Sequence, residues 1–145
     1  MRWQPLESQK VQREHEIQFR VRYKETDAQG RVHHANYFTY FEMGRVEMLR
    51  AAGYDYRELE AQGIMLVVNK ISCHFRVPAA YDDVLVLRTR IGRITPARVE
   101  QSYQLFRDGI LLATGESVLA CVNRAGTVQR MPEWMIVEDE EGRGK

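Results

Sequence analysis

The chain has 145 residues, 44% of them hydrophobic, which is enough for one domain with a proper core and too little for two comfortable ones. Its 21 basic and 20 acidic residues nearly cancel, which argues against nucleic acid or an anionic membrane surface as the main partner. Residues 1–16 are polar, with Glu7, Lys10, Arg13, Glu14 and Glu16 and no signal-peptide block, and no stretch approaches the ~20 apolar residues of a membrane span, so a cytoplasmic protein without membrane insertion is expected.

From Ile17 to Tyr23 the residues alternate, placing Ile17, Phe19, Val21 and Tyr23 on one side and Gln18, Arg20 and Arg22 on the other, as a half-buried strand requires. A polar turn follows, in which Asp27 stands three residues before Gly30 and seven before His34, and it leads directly into a helical pattern. The free amides at the start of a helix concentrate positive potential, and a carboxylate nearby can act on an electrophile held there. Taken alone, an Asp followed by Gly in this way is more often a turn former than a catalyst.

Residues 36–52 form the long helix, with Tyr37, Phe38, Tyr40, Phe41, Val46, Met48 and Leu49 over several turns and Gly53 as its stop. Apolar residues occur around much of its girth, so a sheet wrapped round it is expected, with Gly44 allowing a close approach of backbone to sheet. Arg45, three residues from Glu42 and two from Glu47, suits an ordinary ion pair. Residues 54–63 hold a short helix or loop.

Four strand-like runs come next, at about 64–77, 83–94, 97–107 and 110–123. Pro78, Thr95-Pro96 and Asp108-Gly109 punctuate them, and the last pair makes a hairpin of the third and fourth runs. Short links of this kind give antiparallel order. Ala125-Gly126, Pro132 and the run Glu138-Asp139-Glu140-Glu141 then indicate a short strand or loop and a solvated tail, so the core spans about 17–136 of a single domain. Cys73 and Cys121 lie in strand-like runs and suit buried, reduced thiols. The fold class is α+β, with one central helix and a five- to six-stranded antiparallel sheet curling round it.

His33 and His34 could be metal ligands, but adjacent histidines point different ways and nothing completes a zinc spacing, so no metal is expected. His34 could serve as acid or base, though packing beside the helix start is the plainer role. His15 and His74 have the look of structural or surface residues.

The order of residues from Tyr23 to Leu49 resembles the hotdog-fold acyl-CoA thioesterases of the hydroxybenzoyl-CoA thioesterase-like family, whose signature runs Tyr-x-(Asp/Glu)-Thr-Asp-x-x-Gly-x-Val-x-(His/Tyr/Phe)-(Ala/Pro)-x-Tyr. Here it reads Tyr23, Glu25, Thr26, Asp27, Gly30, Val32, His34, Ala35 and Tyr37, and the likeness continues in Glu42, Arg45, Glu47, Val67–Lys70, Pro78-Ala79 and Asp82-Asp83. The resemblance implies that Asp27 is the catalytic carboxylate, as nucleophile or as base for a water, and that the backbone N–H at His34 receives the thioester oxygen. It implies a substrate pocket involving His33, Asn36, Tyr37 and Val68. His33 stands where an aromatic residue is usual, which makes the pocket wall more polar, and Gln29 replaces a residue that is more often small or apolar. The phosphates of coenzyme A call for Lys or Arg on the rim, and Lys70 and Arg98 are chosen from Lys70, Arg76, Arg93, Arg98 and Arg124.

The substrate would be an acyl-CoA or acyl-carrier thioester, with no cofactor beyond the coenzyme A that it brings. The resemblance further implies a homodimer with one continuous sheet and sites at the interface, or a dimer of such dimers. Three other readings remain: a catalytic Glu42 or Glu47, as in a second hotdog branch; a hydratase or dehydratase; and an acyl-CoA-binding module without turnover.

Overall fold

The computed structural model describes residues 11–132, so the acidic tail and the last residues of the expected core lie outside the described residues. In chain order the elements are β1 (Glu14–Arg20), a single 3-10 turn (Tyr23–Glu25), α1 (Ala35–Ala51), α2 (Tyr56–Ala61), β2 (Met65–Phe75), β3 (Val84–Ile94), β4 (Arg98–Arg107) and β5 (Ile110–Val122). The five strands form one sheet in the order β1-β3-β4-β5-β2, antiparallel throughout. The punctuation expected from the sequence falls in the gaps between strands. At the tightest gap Asp108 and Gly109 take φ of 50° and 78°, the left-handed pair that matches the twist of a hairpin. Past β5 the described residues hold an isolated bridge between Val122 and Val128, where the sequence suggests a short strand or loop.

The long helix α1 lies on the inner face of the sheet. Its buried residues are Tyr37, Tyr40, Phe41, Gly44, Arg45, Met48 and Leu49, a spacing of three and four that makes one stripe. Tyr40, Phe41 and Met48 are at most 1% exposed, and fully burying each such side chain contributes about 1.5–3 kcal/mol. Phe41 stacks on Tyr103 of β4 with ring centroids 4.3 Å apart. The helix backbone rides against β3 at Gly44, where an added Cβ would meet Thr89 Oγ1 at 2.3 Å and Leu87 Cδ2 at 2.7 Å.

Two strands are edges, β1 and β2. On β2 the partners across β5 jump from Val68↔Leu119 to Lys70↔Val118, so Asn69 is an extra residue in a bulge. Cys121 is buried, Cys73 half-buried, and both are free thiols. Burial pushes the Cys73 thiol up to about 11.

Several expectations need correction. The first strand runs three residues earlier than 17–23 and stops at Arg20, and Tyr23 is 76% exposed rather than inward. The cause is Glu25, whose carboxylate captures the Arg22 N–H at 2.8 Å and curls the chain into the 3-10 turn. The core also begins before residue 17, since Val11 is buried and Arg13 bonds the Ile91 carbonyl at 3.1 Å. The girth of α1 is not buried all round: one stripe faces the sheet, while Phe38 and Glu42 are exposed. Arg45 lies in that stripe and makes no ion pair with Glu42 or Glu47. Its Nη1 donates to the Tyr103 hydroxyl at 3.1 Å, and Glu47 pairs with Arg50 instead.

Candidate active site

The site sits where the loop after β1 meets the start of α1. Thr26 bridges Val32, and the Asp27 N–H donates to the Arg31 carbonyl at 2.8 Å, so residues 27–31 close a small hairpin-like loop. Gly30 takes φ of 79° there, a conformation that L side chains rarely adopt. The loop is pinned to the link between β2 and β3 by Val32 N–H to Ala79 carbonyl at 2.8 Å and by an Arg31–Ala80 bridge.

Asp27 is half-buried. Its Oδ1 accepts from the Gln29 N–H at 2.9 Å and the Arg31 N–H at 3.3 Å, which is the turn-forming role expected of an Asp in this position. Among the described residues Oδ2 has no partner, so the same bonds that shape the turn leave one carboxylate oxygen oriented and free.

The helix start is unusual in one respect. The amides of Val32, His33, Asn36 and Tyr37 donate to the carbonyls of Ala79, Glu25, His33 and His34, and that of Ala35 donates to His33 Nδ1 at 3.1 Å. Among the described residues the N–H of His34 alone in this run has no acceptor. It stands at the positive end of a 17-residue helix. The His33 imidazole performs the capping, which requires Nδ1 to be an unprotonated acceptor. The rings of His33 and His34 stack at 4.2 Å rather than pointing apart, and both residues are exposed. Among the described residues no group of three or more His, Cys, Asp or Glu side chains converges as a metal site would need.

Asn36 and Tyr37 are both engaged. Asn36 Nδ2 donates to the Glu25 carbonyl at 2.8 Å, and Tyr37 is buried, its hydroxyl accepting from the Ala79 N–H at 3.4 Å and its ring meeting Phe75 edge-on at 4.8 Å. Burial raises the Tyr37 hydroxyl above its ordinary range. Val68 and Lys70 are exposed on β2, five to seven residues back from Phe75, or about 17–23 Å along an extended strand. Arg98 opens β4 at the opposite end of the sheet, nine residues from Arg107, or about 30 Å. Within one chain these three are not brought to Asp27.

A network unforeseen from the sequence lies beneath the loop. Glu25 is 5% exposed, and its carboxylate accepts from the Arg22 N–H at 2.8 Å, Arg22 Nη2 at 2.9 Å, Arg22 Nε at 3.1 Å and the Tyr40 hydroxyl at 2.9 Å. Burial opposes ionisation of Glu25, but the bonds from Arg22 and Tyr40 outweigh it and hold the carboxyl below its ordinary range. Burial, the bond to Glu25 and its negative charge push the Tyr40 hydroxyl well above its usual value. The one signal available beforehand was the three-residue spacing of Arg22 and Glu25.

The family profile described as "Thioesterase-like superfamily" matches residues 21–137. The acyl-CoA thioesterase YbgC of Haemophilus influenzae is 33% identical over 105 residues, covering 72% of this chain and 77% of that one. The acyl-CoA thioester hydrolase YbgC of Escherichia coli is 32% identical over 121 residues, covering 82% and 90%. Among solved structures, that of "Probable Thioesterase from Bartonella henselae" superposes with a TM-score of 0.79 at 34% identity, covering 82% of this chain and 99% of that one. With its long helix on a five-stranded antiparallel sheet and its matched loop and helix start, the chain belongs to the thioesterase-like superfamily and has the hotdog fold.

Proposed function

We propose that the protein hydrolyses acyl-CoA thioesters to a free acid and coenzyme A, with Asp27 attacking the carbonyl carbon or activating the water that does so. The observation that carries this reading is the His34 N–H, which among the described residues has no acceptor at the positive end of α1 while every neighbouring amide from 32 to 37 is bonded. A thioester oxygen placed on it gains a hydrogen bond that strengthens as negative charge develops. The free Oδ2 of Asp27, on the other leg of the same loop, supplies the base or nucleophile. Relatives named as acyl-CoA thioester hydrolases supply the substrate class.

The same reading makes the working unit a homodimer joined through β2, which among the described residues pairs only with β5 and exposes Val67 and Val68. In an antiparallel pairing of two such edges, the first residues of one β2 lie beside the last of the other. Val68 would then lie nearer the Tyr37–Phe75 end of the neighbouring protomer than of its own, while Lys70, at the midpoint of the strand, would face its counterpart.

The test is thiol release from short-chain, long-chain and aromatic acyl-CoAs by the wild type and by Asp27→Asn, with folding checked by thermal melting. A fall of about 10²–10⁴-fold, the usual span of a positioned acid–base group, supports the assignment. Undiminished turnover removes Asp27 from the mechanism, and saturable binding with no thiol release by the wild type favours a binding module.

A further inference from the structure

We infer that Glu25 is the positioning residue of this site, setting the separation of the Asp27 carboxylate from the free His34 N–H through both its main chain and its side chain. The Glu25 carbonyl receives two donors from the other leg of the loop, the His33 N–H at 2.9 Å and Asn36 Nδ2 at 2.8 Å. The His33 N–H belongs to the Val32–His33 peptide, one peptide before the unit that carries the free His34 N–H, so this bond anchors the chain one residue ahead of that donor. Two residues further along the chain from Glu25 lies Asp27.

The side chain fixes where that carbonyl can be. Oε1 of the carboxylate accepts from both the Arg22 N–H, just beyond β1, and the Tyr40 hydroxyl in the second turn of α1, while Oε2 is gripped by the Arg22 guanidinium. Glu25 thus ties strand exit, loop and helix into one body, with charge-assisted bonds that are stronger than neutral ones. Tyr40 is 1% exposed and meets Phe19 with ring centroids 4.6 Å apart, so the anchor on the helix is itself immobilised by the core. Catalysis depends steeply on such spacing, since a misplacement of about 1 Å can cost 10²-fold. No atom of Glu25 needs to touch substrate.

This inference rests on the thioesterase reading, and the experiment separates the two. The wild type, Glu25→Gln, Tyr40→Phe and Asp27→Asn are assayed for thiol release from hexanoyl-, palmitoyl- and benzoyl-CoA. Each is also labelled with 15N-histidine, which gives four backbone signals because the chain has 4 histidines. Glu25→Gln keeps the shape but puts an amide NH2 against Arg22 or Tyr40. It should lower kcat by about tenfold or more with KM within about threefold, the mark of a misplaced catalytic group. It should also move the His33 and His34 amide signals and leave those of His15 and His74 in place. Tyr40→Phe removes one donor and should do the same to a smaller degree.

Glu25→Gln with kcat within about twofold of the wild type overturns the inference, as do unmoved His33 and His34 signals. If Glu25→Gln does not fold, Tyr40→Phe decides on the same two measures. If the wild type releases no thiol from any of the three esters, the thioesterase reading fails, and the histidine signals alone decide whether Glu25 sets the loop.

Discussion

Replacing His34 by proline removes the free N–H together with the imidazole that stacks on His33, and His34→Ala removes the imidazole alone. His34 has φ of −56° and ψ of −33°, inside the proline range of about −65 ± 15°. Its N–H bonds to nothing among the described residues, so the ring closure sacrifices no hydrogen bond there. With the His33 imidazole as the cap, position 34 is the first-turn position of α1, where proline is favoured. Loss of a single oxyanion donor is worth about 10²–10³ in kcat, or about 3–4 kcal/mol. His34→Pro should therefore lose that much in thiol release, while its Tm stays within about 4 °C of the wild type, the equivalent of 1 kcal/mol in a domain of this size. His34→Ala retains the N–H and should keep kcat within about threefold. The reasoning is refuted if folded His34→Pro turns over within tenfold of the wild type, or if His34→Ala is as damaging as His34→Pro.

Gly44→Ala places a methyl 2.3 Å from Thr89 Oγ1 and 2.7 Å from Leu87 Cδ2; the overpacking cost of about 1–3 kcal/mol should exceed the ~1 kcal/mol gained in helix propensity. Chemical denaturation should show a net loss that shrinks in a Thr89→Ala background, and a stabilised Gly44→Ala would contradict the close approach. The Glu25 carboxyl is held below its ordinary range, so its contribution to stability is present above the unfolded pKa of about 4.3 and is lost as pH falls through the lower folded value. Melting curves between pH 7 and pH 3 should show the gap between wild type and Glu25→Gln closing on acidification, whereas parallel curves would deny the linkage.

Much of this fold is legible in the chain because its punctuation is local. Pro78, Thr95-Pro96 and Asp108-Gly109 cannot continue a strand, and β2 to β5 lie between them within two or three residues of the expected limits. The Asp27 loop is legible for the same reason, as Asp and Gly suit its bonds and its positive φ. What escaped depends on competition between alternatives of similar local quality. Alternation continues through Val21 to Tyr23, and only the capture of Arg22 by Glu25 decides that the strand stops. Likewise Arg45 has carboxylates within reach along the helix, but the phase of the buried stripe turns it inward to Tyr103. That the His34 N–H is left without a partner among the described residues is not readable from the residues alone, because every residue but proline has an N–H; only the family resemblance pointed to it.

The bulge at Asn69 bears on which chains can extend the sheet. On either side of it the outward-facing donors and acceptors of β2 follow different phases, so a regular strand can match the template before the bulge or after it but not across the whole length. In the proposed dimer a second β2, carrying the same irregularity and running the other way, would answer both halves at once. There the kink would turn an adhesive rim into one that discriminates in favour of its own kind.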